Sequence, residues 1–99
     1  MVFDDVMLRQ LKKAAKDQQI KSILSKMLDK IELLGSLAGD LVDSKLRIYE
    51  MKMKHPPIRL YFKPNADTDE IYVFEYEMKT SKKKQKKTID TLRKKASET

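Results

Sequence analysis

The chain has 99 residues, with 22 Lys or Arg against 15 Asp or Glu, a formal charge of +7. A chain of this length without a long linker fits one domain with a modest core. It contains no cysteine, which excludes a disulfide scaffold, thiolate metal ligands and a cysteine nucleophile, and no run approaches the roughly 20 apolar residues of a membrane span.

The first residues, Met1-Val2-Phe3-Asp4-Asp5, are acidic with no apolar run behind them, so they do not read as a secretory signal. The expectation is a soluble, cytoplasmic protein with no membrane partner. Phe3, Val6, Met7, Leu11, Ala14 and Ala15 then fall at helical spacing, which predicts a first helix from Phe3 to Asp17. Asp4 and Asp5 suit its N-terminus, where negative charge meets the positive end of the dipole. Ile20, Ile23, Leu24, Met27, Leu28, Ile31 and Leu34 continue as one apolar stripe over about four turns, and Gly35 ends it. With few residues between them, the two segments predict a helical hairpin over residues 2–35 whose stripe covers a core.

Residues 36–44, with Gly39, Asp40 and Asp43, read as a loop. A sheet is expected over residues 45–79. Leu46 to Lys54 alternates as a strand does, but its apolar phase shifts from Leu46 and Ile48 to Tyr49, Met51 and Met53, which suggests a bulge or twist near Ile48. His55-Pro56-Pro57 is a turn, since two prolines cannot continue a ladder. Ile58 to Lys63 is a second strand with Ile58, Leu60 and Phe62 on one face, and Pro64-Asn65-Ala66-Asp67 is a second turn. Glu70 to Met78 is a third strand with apolar residues on both faces, Ile71 and Val73 on one, Tyr72, Phe74 and Tyr76 on the other. Such a strand is covered on both sides. Short turns make the three strands antiparallel neighbours.

Thr80 or Ser81 can cap a last helix over residues 80–97, with Ile89, Leu92 and Ala96 as a thin apolar stripe. Here the charge is uneven. Residues 1–78 carry 13 basic and 13 acidic side chains, while residues 79–99 carry nine basic and two acidic ones, which is the whole excess. A cationic block of this kind attracts a polyanion, RNA first among them. Its plainer reading is a solvated lysine-rich helix start. Cations there oppose the helix dipole, so that start is intrinsically weak and gains from an anion.

Several chemistries are absent. The two glycines, Gly35 and Gly39, do not form a phosphate loop, no metal-ligand spacing appears, and the single histidine, His55, sits in a turn. What remains is a set of cations and tyrosines on neighbouring strands. Lys52 and Lys54 share a face of the first strand, Arg59 follows the turn, and Tyr72, Tyr76 and Lys79 come from the third. Cleavage of RNA by its own 2′-hydroxyl needs that hydroxyl deprotonated, the phosphorane charge stabilised and the leaving 5′-oxygen protonated. Arg and Lys stabilise such charge, a lysine crowded by other cations can move protons, and Tyr can stack on a base. Surface lysines on strands are also common without any chemistry.

Leu46 to Phe62, LRIYEMKMKHPPIRLYF, resembles the heart of the RelE/ParE toxin superfamily. The match is an aromatic-polar-apolar-basic strand (Tyr49, Glu50, Met51, Lys52), a tight turn, then Ile58, Arg59, Leu60, Tyr61 and Phe62. Ile71 to Ile89, IYVFEYEMKTSKKKQKKTI, resembles the strand-to-helix junction of the HigB-like, phage-derived branch, with Tyr76, Lys79, Thr80 and Lys82 at the matching places. The resemblance implies an α+β, RelE-like fold over residues 1–99, with the helical hairpin on a small antiparallel sheet of about three strands and a C-terminal helix. It implies the toxin of a bacterial or phage-derived type II toxin–antitoxin system. The activity would be that of a metal-independent, ribosome-dependent messenger-RNA endonuclease that inhibits translation without a cofactor. Its partners would be a cognate helix-turn-helix (HigA-like) antitoxin and messenger RNA on the ribosome. By position, Lys52 would transfer protons or stabilise phosphate, Arg59 would stabilise the transition state, and Tyr76 and Lys79 would complete the catalytic set. Lys54, Lys82, Lys83, Lys84, Lys86 and Lys87 would bind the RNA backbone. A ParE-like gyrase inhibitor and a non-catalytic relative that binds only RNA or antitoxin remain alternatives.

Overall fold

A computed structural model describes residues 1–65, 67–79 and 81–98. The elements are β1 (Val2–Phe3), α1 (Asp5–Ala14), α2 (Gln18–Leu34), a 3-10 turn (Gly35–Ala38), β2 (Asp40–Asp43), β3 (Ile48–Met53), β4 (Ile58–Pro64), β5 (Ile71–Met78) and α3 (Lys82–Glu98). The strands form one sheet in the order β1-β5-β4-β3-β2. β1 runs parallel to β5, and the other pairings are antiparallel.

The helices begin and end where side chains satisfy their free backbone groups. Asp4 caps α1 by accepting from the Val6 N–H at 3.0 Å. Asp17 caps α2 by accepting from Gln19 and Ile20 at 3.0 and 3.2 Å. Each such cap contributes about 1 kcal/mol. Gly35 ends α2 at φ +59°, a left-handed conformation that favours glycine. Ser81 caps α3, its Oγ accepting from the Lys84 N–H at 3.1 Å, while the alternative cap Thr80 and the turn position Ala66 lie outside the described residues.

The sheet is covered on both faces. On one face Met7 of α1 and Met27 and Ile31 of α2 bury against Met51, Ile58, Leu60, Phe62, Ile71 and Val73. Tyr49 stacks on Phe62 with ring centroids 5.7 Å apart. On the other face Leu92 and Ala96 of α3 bury against Ile48, Tyr61 and Phe74. A fully buried side chain of this size contributes about 1.5–3 kcal/mol by leaving water.

Four expectations from the sequence change. The sheet has five strands rather than three, so the expected hairpin on a three-stranded sheet becomes α1 and α2 on one face of a five-stranded one, with α3 on the other. Val2 and Phe3, expected at the start of a helix, pair with Tyr72 and Val73 instead, so α1 starts only at Asp5. Asp40–Asp43, expected as loop, adds β2 to the other edge. Gly39 allows this, because a Cβ there would lie 2.6 Å from the Glu50 carbonyl oxygen. The phase shift in β3 is not a bulge of its own. Ile48 and Glu50 face α3 while Met51 faces α1 and α2, and the register shift lies opposite, between Leu41 and Asp43 of β2.

A fifth change bears on the site. Phe62 pairs with Val73 but Tyr61 pairs with Glu75, so Phe74 is an extra residue in β5. Such a bulge reverses which face the following side chains take. Tyr76 therefore joins Leu60 on the face of α1 and α2, not Tyr72 on the other.

Candidate functional site

The register places Lys52, Arg59 and Glu77 in one row across β3, β4 and β5, with Glu50, Tyr61 and Glu75 in the next row. Both rows lie on the face that α3 covers, since Tyr61 packs with Leu92. Lys52 and Arg59 are thus direct cross-strand neighbours, the closest approach two strands allow.

Carboxylates organise this surface. Glu50, only 4% exposed, lies 3.6 Å from Lys52 Nζ and 3.8 Å from Arg59 Nε, and it accepts from Gln85 Nε2 of α3 at 2.9 Å. Lys52 also approaches Asp40 of β2 at 3.8 Å. Two carboxylates therefore lie within ion-pair distance of Lys52, beside the cations that the sequence suggested. Glu77 accepts from the Tyr61 hydroxyl and from the Thr88 hydroxyl of α3, each at 2.6 Å. Burial, and then the Glu77 carboxylate, push the Tyr61 hydroxyl well above its ordinary value, so it stays a donor. Burial also raises Glu75, against the pull of Lys95.

Arg59 is the most constrained cation of the set. Its side chain is 15% exposed, and Nε is buried with no hydrogen-bond partner within reach. The nearby Glu50 carboxylate, 3.8 Å from Nε, partly offsets the cost of that missing hydrogen bond. Lys52 lies beside a cleft of about 300 Å³ that Lys30 of α2 also lines. Lys30 was not singled out from the sequence, because it is one of several lysines on the polar side of α2 and only the fold brings it near β3.

The remaining expected site residues divide. Lys54 is exposed just beyond β3, and Lys79 is drawn to the same end of the sheet by its N–H, which donates to the Pro57 carbonyl at 2.8 Å. Lys82, Lys83, Lys84, Lys86 and Lys87 are exposed along the first turns of α3, whose Gln85 and Thr88 reach down to Glu50 and Glu77. Tyr76 is not brought to Lys52 and Arg59, because the bulge at Phe74 turns it to the opposite face. There its backbone is held by Gln10 of α1. His55 is exposed in the turn between β3 and β4. Among the described residues no group of three or more His, Cys, Asp or Glu is arranged to hold a metal ion, and no helix is long and apolar enough to cross a membrane.

The sequence matches no protein-family model and no curated protein. Solved structures share its fold, and they define the class as RelE-like α+β. A chain of the E. coli RelBE toxin–antitoxin complex superposes with a TM-score of 0.66 at 17% identity, over 81% of this chain and 95% of that one. The isolated E. coli RelE toxin superposes with a TM-score of 0.68 at 15% identity, over 92% of this chain and 95% of that one.

Proposed function

We propose that this chain is the toxin of a type II toxin–antitoxin pair and acts on messenger RNA. The reading takes its class from the shared fold, since one of the similar structures is a toxin bound to its antitoxin and the other is that toxin alone. It takes its chemistry from one observation, the register that sets Arg59 directly across the ladder from Lys52.

Phosphate is the anion that fits two adjacent cations on a sheet. When an RNA 2′-hydroxyl attacks the neighbouring phosphorus, negative charge gathers on the non-bridging oxygens. Arg59, already fixed by β4 and by Glu50, stabilises that charge without having to be ordered first. Lys52 is the second cation at the phosphorane. Lys54, Lys79 and the α3 lysines Lys82, Lys83, Lys84, Lys86 and Lys87 hold the backbone on either side by charge alone. Tyr76 serves packing on the other face rather than the reaction. The HigB-like branch, a helix-turn-helix antitoxin partner and dependence on the ribosome belong to the same proposal and rest on the motif resemblance.

Induced expression in a bacterial host tests it. Wild-type protein should arrest growth, with primer extension revealing new 5′ ends inside translated messages. Arg59→Ala should fold normally, shown by circular dichroism, and lose about 10²–10³-fold in cleavage, the loss typical of removing one charge-stabilising donor. Full toxicity of a folded Arg59→Ala protein would remove Arg59 from the reaction.

A further inference from the structure

A second cationic cleft lies at the opposite end of the sheet from the His55-Pro56-Pro57 turn, where the β2–β3 and β4–β5 connections meet. It has a volume of about 450 Å³, and its lining includes Lys45, Arg47, Lys63, Asp67, Tyr72 and Phe74. That volume is in the range of small-molecule pockets. None of Lys45, Arg47 or Lys63 takes part in an ion pair among the described residues, whereas Lys52, Arg59, Arg93 and Lys95 each approach a carboxylate. Asp67 is the one carboxylate of the lining, so three cations face one anion.

The aromatic wall is fixed in place. Tyr72 and Phe74 meet edge to face with centroids 5.1 Å apart. The Tyr72 hydroxyl donates to Asp4 Oδ1 at 2.7 Å, which prevents the ring from swinging away. The loops are set as well. Asp43 Oδ1 accepts from the Leu46 N–H at 2.8 Å, and Arg47 sits at φ +57°, a strained conformation for a residue with a side chain. Such strain gathers where a side chain must be aimed. The Asn65 N–H donates to the Glu70 carbonyl at 2.9 Å and closes the other loop.

We propose that this cleft is a docking subsite for single-stranded RNA, taking one unstacked base against the half-buried Tyr72, with buried Phe74 behind that ring, and its flanking phosphates on Lys45, Arg47 and Lys63. Cations around an aromatic wall are the pairing that single strands require, because a duplex keeps its bases stacked. Lys63 lies four residues along β4 from Arg59 and on the same face, a distance of about 13 Å. Tyr61, which lies between them, is buried under Leu92 of α3, so a strand joining the two places passes around that helix. The subsite does not depend on cleavage, so it stands or falls separately from the proposed reaction.

Binding of a fluorescein-labelled ten-nucleotide oligouridylate, followed by anisotropy without ribosomes, tests this. The triple variant Lys45→Ala, Arg47→Ala, Lys63→Ala should bind about tenfold more weakly than wild type. It should also show a shallower dependence on salt, by about 2 in the log–log slope for three lost contacts. The control variant Lys12→Ala, Lys13→Ala, Lys16→Ala removes three charges from α1 and the turn that follows it. An affinity loss for the cleft variant less than about fivefold beyond the control overturns the subsite. A second measurement uses unaltered protein. In an amide NMR titration the oligouridylate should shift residues 45–47, Lys63 and Asn65, and an absence of shifts there overturns the proposal, as does tighter binding at those residues by a polyglutamate peptide. The titration decides the matter if the triple variant does not fold.

Discussion

Asp4 does more than any other single side chain to join the parts of this protein. It caps α1, accepts from the Tyr72 hydroxyl of β5 and meets Lys95 Nζ of α3 at 3.1 Å. Burial alone would push its pKa up, but the three donors together outweigh burial and hold the carboxyl below its ordinary range. Its partner Tyr72 is pushed up to about 12, first by burial and then by that carboxylate. The folded state therefore keeps the Tyr72 proton more tightly than the unfolded chain, whose value is 10.0. The stability it contributes is complete below pH 10 and is lost as the pH rises towards 12. Urea unfolding of Tyr72→Phe should show lower stability than wild type at pH 9, with the gap closing as the pH approaches 12. A gap that stays constant would show that the hydroxyl's proton is not involved. At this scale the sequence was partly legible. Asp4 was placed at a helix start from its position alone, and Lys52 and Arg59 were placed together across a ladder. Its links to Tyr72 and Lys95, 68 and 91 positions away, leave no local pattern to read.

Among the elements, β5 depends on a helix to finish its outer edge. β1 pairs only with Tyr72 and Val73, and the Asp4 N–H adds a bond to the Val73 carbonyl at 2.9 Å. Beyond that point Gln10 of α1 takes over. Its side-chain amide donates to the Tyr76 carbonyl at 2.8 Å and accepts from the Tyr76 N–H at 2.9 Å, as a neighbouring strand would. Gln10→Ala should destabilise the protein by about 1–3 kcal/mol, because it leaves two half-buried backbone groups unpaired. Gln10→Glu should recover only the bond from the N–H. Chemical denaturation of the three proteins gives the ranking. The stripes of α2 and the three central strands could be read from periodicity because each has a long apolar repeat. β1 and β2 could not, since two and four residues are too few for a period to show, and Leu41 of β2 remains half exposed. The bulge at Phe74 escaped for a related reason. An unbroken run of apolar residues in β5 gives no sign of where the alternation slips, and this is why Tyr76 was assigned to the wrong face.

At the scale of the whole molecule, charge and packing are divided along α3. Its buried side holds Leu92 and Ala96, and its polar anchors end on acids of the body: Gln85 on Glu50, Thr88 on Glu77, Arg93 on Asp43 and Lys95 on Asp4. The five lysines between Lys82 and Lys87 are left exposed. Replacing all five by Gln should leave stability unchanged or slightly higher, because cations at a helix start oppose the dipole. It should reduce the salt dependence of RNA binding by about 2–3.5 in slope, the upper value corresponding to five lost contacts on a single strand. Thermal unfolding and anisotropy over a salt series measure the two effects. The charge block was evident from composition. Its attachment to buried acids was not, since Glu50 and Glu77 look like ordinary strand residues until α3 is seen above them.

The parallel pairing of β1 with β5 also sets an order in time. Val2 is made 70 positions before its partner Tyr72. On a translating ribosome the first strand must therefore wait, unpaired, while most of the chain is still to come. Contacts this distant in sequence form late in folding. The sheet's outer edge, and the row of Lys52, Arg59 and Glu77 within it, are completed only when β5 has emerged. A nascent chain halted before Tyr72 has neither, so the fold keeps its cationic surface unassembled until β5 has been made.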